Sequence, residues 1–184
     1  MMEKVVLPPF QPRLTNDEIR EKYPWATLGK PANRKPNIIT SLELDSALME
    51  QRNLKLQKKY REIEKNEVRF EEIDCEDAEY LLIAFGSSAR ICEKTVELAR
   101  EKGIKLGLFR PITLFPFPTN ELKAYANKVK AMLTMELNAG QMVEDVRLAV
   151  NGKIPVEHYG RMGGIIPTGE EILEVTEKLI ANNQ

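Results

Sequence analysis

Polar residues occur at two places where a buried apolar segment gives way to a helical one. The apolar run of residues 80–85 is followed by a Gly-Ser-Ser turn at residues 86–88, whose backbone N–H groups could hold an anion at a helix start. A second run, residues 130–136, ends at the carboxylate of Glu136. The amide side chains of Asn138 and Gln141 follow it closely in the chain. Ligands bind at the carboxyl ends of strands in parallel sheets. The two segments therefore predict a polar rim at one edge of a sheet.

Neither segment carries a complete enzyme signature. One glycine, Gly86, does not make a GxGxxG motif, and an N-cap serine is the favoured interpretation of residues 86–88 over an anion site. An acid–base role for Glu136 needs a second titratable group, and nothing in the sequence places His158, the single histidine, beside it. Hydrogen bonds that fasten a domain interface are the favoured role for Glu136. The sequence contains no GxSxG elbow, Walker loop or HExxH motif.

Other residues able to bind ions are sparse. Residues 158–164 (HYGRMGG) are glycine-rich and basic enough to hold a phosphate, but without a following helix at the right distance they favour a flexible loop. Cys75 and Cys92 form no CxxC motif and fall in different predicted elements. They cannot by themselves hold zinc or an iron–sulfur cluster, so we expect no cofactor or metal bound by this chain alone.

Composition narrows the class of protein. The 184 residues include 27 Lys+Arg and 28 Asp+Glu, a formal net charge of -1, which argues against a nucleic-acid partner. With 42% apolar and 30% charged residues the chain has the balance of a globular protein. It contains no apolar stretch of about 18 residues, so we expect no membrane span. Residues 1–10 do not resemble a signal peptide, which favours a reducing, cytoplasmic location.

Residues 1–46 form a proline-rich arm or linker. Proline removes a backbone donor and fixes φ, so long helices and central strands are excluded here, except for a short helix at residues 16–22 with capping-box spacing between Thr15 and Glu18. Apolar residues are interspersed among the prolines: Val5, Leu7, Phe10, Tyr23, Trp25 and Leu28. So many apolar side chains predict an arm that packs on another surface.

Residues 47–67 form a charged connector helix, with its helical pattern at residues 48–65. Met49, Leu56 and Ile63 are seven residues apart and Tyr60 falls between them, which predicts a narrow apolar seam along one side of the helix. This seam could rest on its own domain or on a partner chain, and the sequence leaves both open.

Residues 68–184 alternate strands and helices with short connections. We predict strands at residues 68–73, 80–85, 104–109, 130–136 and 154–158, and helices at residues 89–102, 120–127, 140–150 and after the capping box of Thr168 and Glu171. Such alternation is typical of a mostly parallel sheet with helices on both faces. The first strand has no crossover helix after it, so we expect it at an antiparallel edge. The predicted fold is a three-layer α/β/α sandwich.

Four segments occur here in an order known from one family. They are residues 80–90 (YLLIAFGSSAR), 107–118 (GLFRPITLFPFP), 135–141 (MELNAGQ) and 159–164 (YGRMGG). Together they resemble the carboxyl-terminal domain of the alpha chain of 2-oxoacid:ferredoxin oxidoreductases, which is similar to the last domain of transketolase. Residues 31–60, with NII at 37–39 and NLKLQKKY at 53–60, resemble the connector of the branch that acts on 2-ketoisovalerate.

The resemblance implies a multisubunit enzyme. Such a complex decarboxylates a 2-oxoacid on thiamine diphosphate with Mg2+, transfers the acyl group to coenzyme A and passes electrons through iron–sulfur clusters to ferredoxin. The family's thiamine diphosphate motif, activating glutamate and cluster cysteines belong to the beta chain, the amino-terminal alpha domain and a ferredoxin-like chain, and are absent from this sequence. The resemblance thus implies a noncatalytic assembly domain, inactive alone, whose partners are those chains.

The residues expected at subunit interfaces follow from these motifs. They are Gly86, Arg90, Arg110, Pro116, Phe117, Glu136, Asn138 and Gln141. Two other functions stay open at this point. One is a free-standing module that binds a nucleotide or an acyl thioester at the rim of Gly86 and Asn138, and the other is a scaffold that dimerises through the seam of the connector helix.

Overall fold

The computed structural model describes residues 6–25, 29, 33, 35–38 and 40–183. Four residues that bear on the predictions above, Val5, Leu28, Pro31 and Ile39, lie outside the described residues. Contacts divide the chain into two compact units, one with Lys55–Gln184 and one with Met2–Leu54. The finer division into residues 1–46, 47–67 and 68–184 stays a prediction.

The described residues of the Met2–Leu54 unit expose most of their apolar side chains. Its helix α1, Asn16–Lys22, begins as predicted, because the Thr15 hydroxyl accepts from the Glu18 N–H while the Glu18 carboxylate accepts from the Thr15 N–H. None of the α1 side chains is buried. The exposed large apolar residues before α2 are Val6, Leu7, Phe10, Trp25, Ile38, Leu42 and Leu44. So much uncovered apolar surface agrees with an arm whose counterpart lies elsewhere.

Helix α2, Ser46–Asn66, confirms the predicted charged helix but begins two residues earlier. The reason is Asp45, whose carboxylate accepts from the Ala47 and Leu48 N–H groups at 2.9 and 3.1 Å and so caps the first turn. No side chain of α2 is buried, and Leu56 and Tyr60 in the predicted seam are 44% and 40% exposed. The helix is therefore held by few contacts.

The Lys55–Gln184 unit is built on one five-stranded sheet. Its strands are β1 (Phe70–Ile73), β2 (Tyr80–Ile83), β3 (Leu106–Pro111), β4 (Ala131–Glu136) and β5 (Val156–Gly160). Their order is β1-β3-β2-β4-β5, and β1 is the antiparallel edge strand while the other pairs are parallel. The predicted sheet is confirmed. The central strands β2 and β4 are buried throughout, as expected for parallel strands covered on both faces.

Four helices cover the sheet. They are α3 (Gly86–Glu101), α4 (Thr119–Tyr125), α5 (Met142–Val150) and α6 (Gly169–Asn182). Alternate residues of each strand point to opposite faces, so Leu82 packs under α3 and α6 while its neighbour Leu81 packs under α4 and α5. Each face has its own apolar core, which confirms the three-layer α/β/α sandwich.

The start of α3 corrects one prediction. The helix begins at Gly86 and its N-cap is Phe85, so neither serine of residues 86–88 is an N-cap. Ser88 lies inside the first turn, where its hydroxyl donates to the Phe85 carbonyl at 2.6 Å. The other end is as predicted: Gly103, with φ +77°, terminates the helix in the left-handed conformation that favours glycine.

We predict that limited chymotrypsin digestion cuts residues 6–44 first and leaves a resistant fragment with β1 to α6. The exposed Phe10, Trp25, Leu42 and Leu44 offer sites in segments with little regular structure, and a protease needs an extended, accessible backbone. Mass spectrometry of timed samples checks this. Leu148 is the internal control, because it is 77% exposed but held in α5. Cleavage there as fast as in the arm would contradict the prediction.

Candidate functional site at the carboxyl edge of the sheet

The carboxyl ends of β2, β3, β4 and β5 meet at one edge, which we call the carboxyl edge: residues 84–86, 112–118, 137–141 and 161–167. The eight residues predicted at interfaces lie on or beside it. Gly86 and Arg90 belong to the first turns of α3 and both are exposed. Arg110 is the penultimate residue of β3. The side chains of Glu136 and Asn138 are brought together in one hydrogen-bonded cluster, whereas Gln141 joins it through its backbone N–H and its side chain is exposed.

Glu136 is the centre of that cluster and is fully buried, at 0% exposure. Its Oε2 atom accepts from the Gln141 and Met142 N–H groups at 3.2 and 2.9 Å, and its Oε1 atom accepts from the Val143 N–H at 3.0 Å. These N–H groups belong to the start of α5, where the N-cap residue Gln141 makes no side-chain cap bond. The Glu136 carboxylate therefore caps α5 from the end of β4, and its charge complements the positive end of the helix dipole.

Asn138 ties the loop of residues 137–141 to the same carboxylate. Its amide nitrogen donates to Glu136 Oε2 at 3.2 Å, and its amide oxygen accepts from the Gly140 N–H at 2.7 Å. Gly140 has φ +105°, which only glycine adopts without strain. The short motif of carboxylate, amide and glycine thus builds a closed turn between β4 and α5.

His158, which sequence reasoning did not place near Glu136, lies beside it and corrects that interpretation. Its Nδ1 atom is 3.5 Å from Glu136 Oε1 and 3.2 Å from the Thr134 hydroxyl. The Thr134 hydroxyl also donates to the Glu157 carbonyl at 3.1 Å. Thr134 and His158 are register partners in β4 and β5. Only the strand pairing could have revealed this contact.

The glycine-rich segment is likewise ordered where a flexible loop was expected. Residues 158–160 belong to β5, and only the residues after them form a loop. Gly160 lies so close to the turn that a Cβ atom there would approach the Asn138 carbonyl oxygen. The absence of a side chain at Gly160 is therefore what allows the turn after β4 to pack on β5.

The Glu136 carboxylate is occupied by hydrogen bonds inside the domain. Both carboxylate oxygens of Glu136 are occupied by donors of the protein, and the side chain has no accessible surface for a substrate. The charge of Glu136 also affects Asp145. Burial is the main reason that the pKa of Asp145 is raised above its usual range, and the negative charges of Glu144 and Glu136 raise it further. Within residues 6–25, 29, 33, 35–38 and 40–183 no group of three or more His, Cys, Asp or Glu side chains could hold a metal ion.

The remaining predicted residues have structural contacts of their own. Arg110 donates from Nη1 to Glu71 of β1 at 2.7 Å. Pro116 follows a cis peptide bond, and its carbonyl accepts from the Thr113 hydroxyl at 2.8 Å. Phe117 is half-buried against the core under α4 and α5. These contacts fix the backbone of residues 112–118.

Sequence reasoning missed how apolar the carboxyl edge is. Among residues 68–183 eight large apolar side chains are exposed, and seven of them lie at this edge: Ile112, Leu114, Phe115, Leu137, Met162, Ile165 and Ile166. The eighth, Leu148, lies on α5. Apolar residues in the turns after strands were the signal, visible in the segment PITLFPFP. Exposed apolar clusters of this kind mark interaction surfaces.

Neither cysteine lies in an environment that would make its thiol a reactive nucleophile. Burial raises the pKa of the Cys75 thiol to about 11, and its Sγ atom donates to the Leu108 carbonyl at 3.2 Å. Cys92 is fully buried in α3, and burial raises the pKa of its thiol further. Both are therefore protonated near neutral pH and poor nucleophiles.

Two solved structures share this fold. A 2-oxoglutarate:ferredoxin oxidoreductase from Magnetococcus marinus, with 2-oxoglutarate, coenzyme A and succinyl-CoA bound, matches with a TM-score of 0.65 at 22% identity, over 75% of this chain and 24% of that one. An inactive tetramer of a split-gene transketolase matches with a TM-score of 0.54 at 16% identity, over 63% of this chain and 42% of that one. The fold defines the class, a three-layer α/β domain of the transketolase kind.

The sequence comparison then identifies the family. Residues 78–172 match the family model described as pyruvate:ferredoxin oxidoreductase core domain II, and the chain belongs to this family. The ketoisovalerate oxidoreductase subunit VorB of Methanothermobacter thermautotrophicus is 43% identical over 157 residues, 85% of this chain and 44% of that protein. The 2-oxoglutarate synthase subunit KorA of the same organism is 36% identical over 104 residues, 56% of this chain and 28% of that protein.

These comparisons confirm the resemblance seen in the sequence. The chain spans less than half the length of the curated relatives it matches. None of the described helices is long and apolar enough to cross a membrane.

The Glu136 cap predicts a large effect from a small change. Glu136→Gln replaces an acceptor-only carboxylate by an amide whose NH2 group faces backbone donors, so the free energy of unfolding should fall by about 2–3 kcal/mol. Urea denaturation followed by circular dichroism measures it. Glu157→Gln, an exposed carboxylate on the neighbouring strand, is the control and should change it by less than about 0.5 kcal/mol. Equal effects of the two variants would contradict the cap.

The thiols provide a second prediction. Cys75 and Cys92 should react with a thiol reagent such as DTNB far more slowly in the folded chain than in urea, because both are buried and their pKa values are raised. The absorbance of the released thiolate, followed at neutral pH, measures both rates. Rapid reaction of either thiol in the folded protein would show that it is accessible and refute the assignment.

Proposed function

We propose that this chain is a noncatalytic structural and assembly domain of the alpha subunit of a 2-oxoacid:ferredoxin oxidoreductase, of the type that acts on 2-ketoisovalerate. The observation that carries the proposal is the character of the carboxyl edge. At the position where α/β sheets bind ligands, this domain has a buried carboxylate occupied by its own backbone and loops that expose seven large apolar side chains. Such an edge suits a protein partner better than a small polar substrate.

The partner proposed for this edge is the rest of the same subunit. VorB is more than twice as long as the region that this chain matches. The beta chain and the ferredoxin-like chain of the complex complete the proposed set of partners, with ferredoxin as the electron acceptor. We propose no nucleic-acid or membrane partner, and a cytoplasmic location.

The complex as a whole would convert a 2-oxoacid and coenzyme A to an acyl-CoA and carbon dioxide, while two electrons pass to ferredoxin. Thiamine diphosphate with Mg2+ would supply the decarboxylation chemistry, and iron–sulfur clusters the electron path. The described residues of this chain do not fit these groups. Both cysteines are buried in separate elements, and the carboxylate at the strand end, Glu136, has no free oxygen for a metal. We therefore propose that this chain alone is inactive.

The choice of the ketoisovalerate branch is supported by sequence similarity. VorB is similar over 85% of the chain at 43% identity, whereas KorA is similar over 56% at 36% identity. The longer match with VorB extends to residues outside the α/β domain, in agreement with the branch-specific resemblance of residues 31–60.

The alternatives are weaker. A free-standing module for a nucleotide or an acyl thioester needs open polar groups at the rim of Gly86 and Asn138, but both polar ends of the Asn138 side chain are used inside the turn. A dimeric scaffold is the second candidate, and the exposure of Leu56 and Tyr60 along the α2 seam favours it.

Assembly should depend on the apolar edge. We predict that Leu137→Asp and Ile165→Asp, in a tagged chain expressed in its native source, each lower the amount of partner subunits recovered with it by roughly tenfold, because a charge is placed in an apolar contact. Quantitative mass spectrometry of the purified complex measures the ratio of the chains. Circular dichroism of the variants should show an unchanged fold, since both side chains are exposed.

Leu148→Asp is the matched control, because Leu148 is 77% exposed but lies away from the edge. It should leave recovery unchanged. If the chain is recovered alone, or if all three variants behave alike, the proposed function is wrong. Recovery as a dimer of itself would favour the scaffold instead.

A further inference from the structure

A cleft of about 570 Å³ lies within the Lys55–Gln184 unit, between the last turn of α2 and the segment that enters α4. Its lining is both apolar and polar, and we call the apolar lining residues the floor and the charged ones the rim. The floor consists of Val68, Phe115, Pro116 and Phe117. The rim carries the charged side chains of Glu64, Lys65 and Glu121. This cleft is separate from the Glu136 cluster, with which it shares no lining residue.

The floor of the cleft is held in place by contacts on both sides. The Tyr60 ring of α2 meets the Phe115 ring edge-on, with centroids 6.1 Å apart and planes at 90°. The Thr113 hydroxyl donates to the Pro116 carbonyl at 2.8 Å, and its backbone N–H donates to the Arg69 carbonyl at 3.1 Å. Phe115 nevertheless remains 61% exposed. An aromatic face is therefore available at a fixed position.

The charges at the rim are not balanced. Within the described part of the chain, neither Glu64 nor Glu121 makes an ion pair or a side-chain hydrogen bond, and Lys65 makes none either. Two carboxylates and one ammonium group thus line the cleft together with apolar side chains. A positively charged side chain with an apolar stem fits this combination of charge and surface.

We propose that the cleft receives an arginine side chain from a partner polypeptide. The aliphatic stem would lie on the apolar floor, and the guanidinium group would stack on Phe115 between the carboxylates of Glu64 and Glu121. Arginine fits better than lysine, because its planar guanidinium is more weakly hydrated and stacks on aromatic rings. Arginine is also enriched among the residues that dominate protein interfaces.

The partner that supplies this arginine is the remainder of the proposed subunit. This choice of partner rests on the proposed function, whereas the binding of a guanidinium group in the cleft does not. The affinity of the cleft for a guanidinium group can be tested on this chain by itself. Failure of that test and failure of the assembly test at Leu137 and Ile165 are therefore distinguishable.

The test is a titration of the full chain with N-acetyl-arginine amide, followed by two-dimensional NMR of backbone amides. We expect saturable shifts of the amides of Val68, Phe117 and Asn120, with an affinity on the order of millimolar for so small a ligand. The citrulline derivative has the same shape without the charge and should cause much smaller shifts. The absence of saturable shifts at these amides, or equal shifts with citrulline, would overturn the proposal.

Charge variants test the rim. Glu64→Gln and Glu121→Gln should each weaken binding by about threefold, and Lys65→Gln should strengthen it by a similar factor, because partly exposed charge pairs contribute modestly. Glu62→Gln is the control: it removes the same charge from α2 at a side chain outside the cleft. No side chain of α2 is buried, and Glu121 at the start of α4 belongs to neither apolar core, so these changes leave the cores intact. An equal loss with Glu62→Gln would show general charge attraction and contradict a specific cleft.

Discussion

The buried carboxylate of Glu136 is the interaction on which the carboxyl edge of this domain depends. It stands at the end of the central strand β4 and accepts hydrogen bonds from three consecutive N–H groups at the start of α5 and from the Asn138 amide. A charge at 0% exposure is costly unless donors surround it, and the helix start provides them. One side chain thereby joins the sheet, the turn and the helix, and its neighbour His158 extends the network to β5.

This arrangement leaves few free polar groups at the carboxyl edge. The side chains of Glu136 and Asn138 bond to each other and to the turn, while apolar side chains of the loops on either side face outward. Elsewhere in residues 68–183 the large apolar side chains are mostly buried in two cores. The apolar side chains that are exposed in this domain are thus concentrated at the carboxyl edge. A large apolar patch of this kind marks a surface that contacts another protein surface. It agrees with a chain that matches less than half of the length of VorB.

Much of the fold could be predicted from residue patterns. Continuous apolar runs identified β2 and β4, and the alternation of strand and helix patterns identified α3 at residues 89–102. The start of α3 was missed, because a serine inside the first turn and a serine at the N-cap give the same sequence pattern. The contact of His158 with Glu136 was missed because pairing between β4 and β5 joins residues 24 apart in the chain, such as Thr134 and His158.

The sequence by itself determined the layers of the domain, its antiparallel edge strand and its resemblance to a family, because these follow from local periodicity, turn residues and the order of motifs. Only the tertiary structure decided what the polar residues after β4 do. The side chains of Glu136 and Asn138 could have faced a ligand instead, and their residue types do not distinguish the two cases. Burial and hydrogen-bond geometry do, because a carboxylate whose oxygens are both filled by backbone donors can hold a helix but cannot act on a substrate.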